Sequence, residues 1–138
     1  MIEQGSPEWF AARCGRVTAS RISDVIAKTK SGYSASRATY MGQLIAERLT
    51  GVVADSYKSA SMNWGTEHEA EARDAYAMCM DESILPAGFV IHPQYPMSGA
   101  SPDGLVGTDG LVEIKCPNTA THIETLLGAK IPAKYESQ

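Results

Sequence analysis

The sequence predicts a mixed α/β fold, and three observations predict it. Up to Met80 the apolar residues recur mostly at helical spacing. From Gly88 onward the pattern changes to short apolar runs punctuated by Gly, Pro and Asp, the signature of strands and tight turns. Composition supports a single globular domain over residues 1–138, large enough for its own core: 43% of the residues are hydrophobic and 20% charged.

The elements follow in order. Ser6-Pro7-Glu8 opens a helix with a capping hydroxyl, a proline in the first turn and an acid near the positive end, and Trp9, Phe10 and Arg13 ride on it. Val17-Thr18-Ala19-Ser20 leads into a second helix carrying Ile22, Val25 and Ile26. Lys30 to Ala35 reads as a loop. A third helix is expected from Arg37 to Thr50, with Tyr40, Leu44, Ile45 and Leu49 on one side and Gly51 as its stop. Val52 to Ala60 is polar and reads as a loop. Trp64-Gly65 opens a fourth helix that runs to Met80, its inward stripe being His68, Ala72, Ala75, Tyr76 and Cys79.

Three strands are expected next, at Gly88–Ile91, Met97–Ser101 and Leu111–Cys116. Thr108-Asp109-Gly110 reads as the hairpin turn between the last two, and Pro117 ends the third. A helix carrying Ile123, Leu126 and Leu127 then stops at Gly128, and Pro132 reads as the first turn of another.

Charge and special residues narrow the function classes. A net charge of −4 argues against a surface that coats nucleic acid indiscriminately, while leaving room for a local basic cleft. Cys14, Cys79 and Cys116 form no CxxC or zinc pattern and suit a reduced cytosolic protein, with Cys116 read as a buried strand residue. Three cysteines are also too few for the usual iron–sulfur ligation. His68, His92 and His122 fit no metal spacing and read as packing or surface groups. Trp64 reads as a core anchor. There is no signal peptide and no apolar run long enough to span a membrane.

Ser101-Pro102-Asp103-Gly104 and Val112-Glu113-Ile114-Lys115-Cys116-Pro117 carry the chemistry. Nine residues separate Asp103 from Glu113, so two adjacent strands would bring them together. Strand alternation puts Glu113 and Lys115 on one side and Ile114 on the other. Two carboxylates and an ammonium on one face suit a divalent cation with oxygen ligands and a water beside it, which is chemistry for cutting a phosphodiester.

Four blocks in order give a more specific reading: Gly5-Ser6-Pro7-Glu8-Trp9 through Arg13-Cys14-Gly15-Arg16-Val17-Thr18-Ala19-Ser20; Trp64-Gly65-Thr66-Glu67-His68-Glu69 with Ala72-Arg73; and the two segments above. Together they resemble the phage-type recombination exonucleases, the lambda exonuclease and YqaJ-like group of the PD-(D/E)xK nucleases. The resemblance implies a restriction-endonuclease-like fold, a central mixed sheet flanked by helices. It implies that Asp103 bridges or shares two divalent ions. Glu113 would ligate one, with the backbone carbonyl of Ile114, and Lys115 would hold and polarise the attacking water. Glu69 would bind metal-bound water or complete the second site. Mg²⁺ is the ion expected for hard oxygen donors, with Mn²⁺ as a substitute.

The resemblance also implies a second anion pocket, for the 5′-terminal phosphate of duplex DNA, at Arg13, Ser20, Ser101 and Gln138. A guanidinium fork completed by hydroxyls and an amide suits phosphate oxygens. The implied activity is 5′-to-3′ digestion of linear double-stranded DNA, leaving a 3′ overhang for a single-strand annealing protein in the cytoplasm of a bacterial or phage-infected cell. Family members continue past the position of Gln138 and can form trimeric rings around DNA. The expectation is therefore either a C-terminally shortened chain or a missing layer supplied by another chain. The alternative function is a catalytically silent remnant that binds DNA ends or a protein partner.

Overall fold

A computed structural model describes residues 2–54 and 60–138. They divide into two compact units, residues 2–54, 87–101 and 137–138, and residues 60–86 and 102–136.

The first unit opens with α1 (Pro7–Arg13), where the Ser6 side chain accepts from the Trp9 N–H and proline occupies the first turn, as the sequence requires. Next come β1 (Val17–Thr18), a 3-10 turn (Ala19–Arg21) and α2 (Ile22–Ile26). The expected loop after it is a small hairpin, β2 (Lys28–Thr29) and β3 (Gly32–Tyr33), and Ala35 already belongs to α3 (Ala35–Thr50). Gly51 closes α3 at φ 70°, a left-handed cap that glycine adopts without strain.

The buried face of α3 differs from the one expected. It is Tyr40, Leu44 and Glu47, whereas Ile45 and Leu49 are exposed. Glu47 is tolerated inside because its carboxylate accepts from the Gly15 N–H (2.8 Å), the Ala54 N–H (3.2 Å) and the Gln43 amide (3.2 Å). The Tyr40 hydroxyl accepts from the buried Thr18 N–H at 3.1 Å, tying α3 to β1. Gly15 sits at φ 67° with the Arg48 stem against the place where a Cβ would stand, and its carbonyl accepts from Arg48 Nε at 2.8 Å.

After a fourth helix and strand, described below, the chain returns to this unit with β5 (Val90–Ile91) and β6 (Ser98–Ala100). β6 pairs in parallel with β1 and antiparallel with β5, a mixed sheet in the order β1-β6-β5. The buried side chains of Tyr40, Leu44 and Ala87 lie in this unit, and buried Pro102 lies in the other.

The second unit holds α4 (Ala60–Met80) and β4 (Ile84–Leu85), then β7 (Gly104–Val106), β8 (Gly110–Val112), α5 (Thr119–Gly128) and a 3-10 turn (Ala133–Tyr135). Its sheet is antiparallel throughout, in the order β4-β7-β8. Of the loop expected over Val52–Ala60, residues 55–59 lie outside the described residues, and Ala60 already begins α4, earlier than Trp64. The half-buried stripe of α4 is Gly65, His68, Glu69, Ala72, Arg73 and Ala77; Ala75, Tyr76 and Cys79 are exposed. A strict 3.6-residue rotation selects that stripe. His68 and Ala72 of the expected stripe belong to it; hydrophobicity alone misses the rest, because two of its members, Glu69 and Arg73, are an ion pair.

The strands are corrected as well. β6 and β8 lie in different sheets, and β7 comes between them in the chain. The turn at residues 107–109 therefore joins β7 to β8, with Gly104 opposite Val112 and Val106 opposite Gly110. The third strand ends at Val112 rather than Cys116. Pro132 precedes a single 3-10 turn, and α5 ends at Gly128 with Ala129 in the left-handed region at φ 47°.

Candidate active site

The second unit gathers the expected catalytic residues around the end of the β7–β8 hairpin. Asp103 stands just before β7, on no strand of its own. Its N–H donates to the Val112 carbonyl (3.1 Å) and its Oδ2 accepts from the Ile114 N–H (2.6 Å). This two-bond clamp continues the pairing past the ladder and orients the run that bears Glu113 and Lys115. The Lys115 ammonium is hydrogen bonded to Glu113 Oε1, so these two side chains meet, although the strand expected to carry them ends at Val112.

Glu69 comes from α4 and accepts from Arg73 at 2.6 Å, one helical turn further on. Its carboxyl is held above the ordinary glutamate range, chiefly by burial and then by the charge of Asp103; the Arg73 charge and hydrogen bond oppose this, and Glu113 adds to it. The Cys116 thiol is likewise raised, by burial first and then by Glu69, Asp103 and Glu71, against Lys115. Cys116 is half-buried and lies beyond the ladder, not within a buried strand as expected.

Those shifts test the donor set. Glu69 feels the charges of Asp103 and Glu113, and a hard cation among oxygen donors relieves such repulsion. The residues therefore fit a divalent metal by chemistry. In the arrangement described, however, Glu113 is engaged by Lys115, Glu69 by Arg73 and Asp103 by the Ile114 N–H. Among the described residues no three His, Cys, Asp or Glu side chains stand together as a ready-made metal cage.

Sequence reasoning missed Arg73 as a site residue, although its i,i+4 spacing from Glu69 was readable. Its Nε is buried and has no hydrogen-bond partner among the described residues. Tyr135 was missed too: its ring lies 5.5 Å from the Lys115 ammonium and 4.7 Å from that of Lys134. Trp64 is not a core anchor; it is 47% exposed and stacks on His68 with ring centroids 3.6 Å apart. His92 is a local cap, its Nδ1 accepting from the Gln94 and Tyr95 N–H groups.

The expected phosphate-binding residues all lie in the first unit. Arg13, at the end of α1, donates to Ser101 Oγ at 3.4 Å, and its guanidinium lies 4.0 Å from the Trp9 ring centroid. Trp9 Nε1 donates to the same Ser101 oxygen at 2.9 Å. Burial lowers the Arg13 pKa, with Tyr40 and Glu47 pulling it back up. A partly desolvated guanidinium stacked on an indole gains more from an anion than one in water. Ser20 is exposed on the 3-10 turn, its hydroxyl 3.2 Å from that of Thr18, and Gln138 ends the chain in the same unit. Trp9 is the member of this site that sequence reasoning did not assign.

A YqaJ-like viral recombinase domain matches residues 8–138. The chain belongs to that family. An alkaline exonuclease from Laribacter hongkongensis is similar at 48% sequence identity with a TM-score of 0.84, covering 96% of this chain and 64% of that one. The same enzyme in complex with dAMP gives 48% identity and a TM-score of 0.85, with the same coverage. This chain thus spans 64% of the length of these relatives. Among curated proteins no match is found. The family and the mixed α/β class read from the four blocks both hold. No helix among the described residues is long and apolar enough to cross a membrane.

Proposed function

We propose that this protein is a metal-dependent DNA exonuclease that hydrolyses phosphodiester bonds of linear double-stranded DNA from a 5′ end. The observation that carries the reading is the clamp between Asp103 and Ile114, which holds Glu113 and Lys115 beside it in one compact unit with Glu69. Its kinship with an alkaline exonuclease at 48% identity supports the same reading.

Asp103, Glu113, the Ile114 carbonyl and Glu69 would hold Mg²⁺, with Mn²⁺ as a substitute and two ions per site. The bound ions would supply an activated water and stabilise the leaving oxygen. Lys115 orients that water and places a fixed positive charge where phosphorane charge grows. Arg73 keeps the Glu69 carboxylate on the site side of α4. Arg13 and Ser101, backed by Trp9, with Ser20 and Gln138, receive the 5′-phosphate. The product, a 3′ overhang, would pass to a single-strand annealing protein in phage-type recombination in the cytoplasm. A homotrimeric ring is the assembly that the family resemblance implies.

The test is digestion of linear duplex, 5′-phosphorylated or 5′-hydroxyl, with and without Mg²⁺, by wild type and Lys115→Ala. Metal-dependent shortening that prefers the phosphorylated end and is lost in the variant is expected. No digestion by folded wild-type protein overturns the reading in favour of an end-binding protein.

A further inference from the structure

We propose that a cavity at the end of the catalytic run binds one unpaired nucleotide of DNA, its base against Trp64 and Tyr135 and its phosphate on Lys134. The inference rests on the nuclease reading above and deepens it with a site for a single-stranded segment of the substrate.

The cavity lies wholly within the second unit and measures about 560 Å³, within the range of small-ligand pockets. Trp64, Cys116, Pro117, Thr119, Lys134 and Tyr135 are among its lining residues. Cys116 follows Lys115 directly, so the cavity begins where the catalytic run ends.

Two features point to a nucleotide. The first is an oriented aromatic platform. Trp64 is half-exposed, yet its ring is stacked on His68, and His68 Nδ1 is 2.9 Å from the Trp64 carbonyl oxygen. An indole held this way can receive a base without first losing rotamer freedom, and base–aromatic stacking tolerates any sequence. The second is charge. The ammonium groups of Lys134 and Lys115 both lie by the Tyr135 ring, and among the described residues no carboxylate forms an ion pair with Lys134. An aromatic wall carrying an unneutralised cation suits a planar base with an attached phosphate better than it suits an apolar ligand.

The probe is fluorescein-labelled (dT)6 with a 5′-hydroxyl, followed by anisotropy in EDTA so that no cutting occurs. Trp64→Leu and Tyr135→Leu should each weaken binding about tenfold, and an abasic hexamer of equal charge should bind wild type about as weakly. Trp64→Phe and Tyr135→Phe keep a stacking ring and should restore most of the affinity, which separates stacking from a folding defect. Lys134→Ala should weaken binding and flatten its salt dependence. Equal affinity of wild type and both leucine variants, or equal affinity for the abasic hexamer, overturns the proposal. Duplex digestion with Mg²⁺ is run alongside. Digestion with unaltered hexamer binding in the leucine variants overturns the pocket alone; stacking-dependent binding without digestion by wild type upholds the pocket and overturns the nuclease reading.

Discussion

Replacing Asp103 with alanine separates two roles that the geometry gives one carboxylate. Without metal, Asp103 Oδ2 accepts the Ile114 N–H at 2.6 Å, a charge-assisted bond at a half-buried position. Bonds of this kind contribute about 1.5–3 kcal/mol. Water reaches part of the site, so the lower end applies, about 1.5 kcal/mol. For a chain of this length that corresponds to a fall in Tm of about 5 °C. Asp103→Asn keeps an oxygen for the same N–H and should lose less than half as much. The metal role appears as a second effect in the same assay. Mg²⁺ should raise the wild-type Tm, because a ligand of the native state stabilises it, and should leave Asp103→Ala unmoved. A metal-free Tm equal to wild type would refute the clamp; an undiminished Mg²⁺ response in the alanine variant would refute the metal assignment.

Further outcomes follow from other residues. Glu69 has a raised native pKa, so the folded protein holds that proton more tightly than the unfolded chain does. Its contribution is present below the ordinary value of 4.5 and is lost as pH rises through the raised native value, and Glu69→Gln should flatten that fall in a Tm-versus-pH series. Gly15→Ala forces a side chain into the left-handed region and against Arg48, and should cost about 1–2 kcal/mol in urea unfolding, or more if the Arg48–Gly15 bond is lost. Arg13→Ala removes a partly desolvated guanidinium and should cut the rate preference for 5′-phosphorylated over 5′-hydroxyl duplex about 10- to 100-fold. Trp9→Phe keeps the ring beneath Arg13 but loses the bond to Ser101, so its preference should fall between those of wild type and Arg13→Ala.

Local signals were legible where local physics decides the outcome. Ser6-Pro7 set the start of α1 and Gly51 the end of α3, because caps and left-handed stops depend on a few adjacent atoms. Asp103, Glu113 and Lys115 were readable as one constellation, and the i,i+3/i+4 rotation that pairs Glu69 with Arg73 was present in the chain. Tertiary structure decided the rest. It buried Glu47 in place of Ile45, because the Gly15 N–H, distant in sequence, came with that of Ala54 to satisfy its carboxylate. It inserted β7 into the chain between β6 and β8 and ended the last strand at Val112, so that Glu113 and Lys115 lie beyond it, since strand partners depend on contacts that no window of sequence contains. It left Trp64 half-exposed beside a cavity, because an indole serves a core or a binding surface equally well until its neighbours are in place.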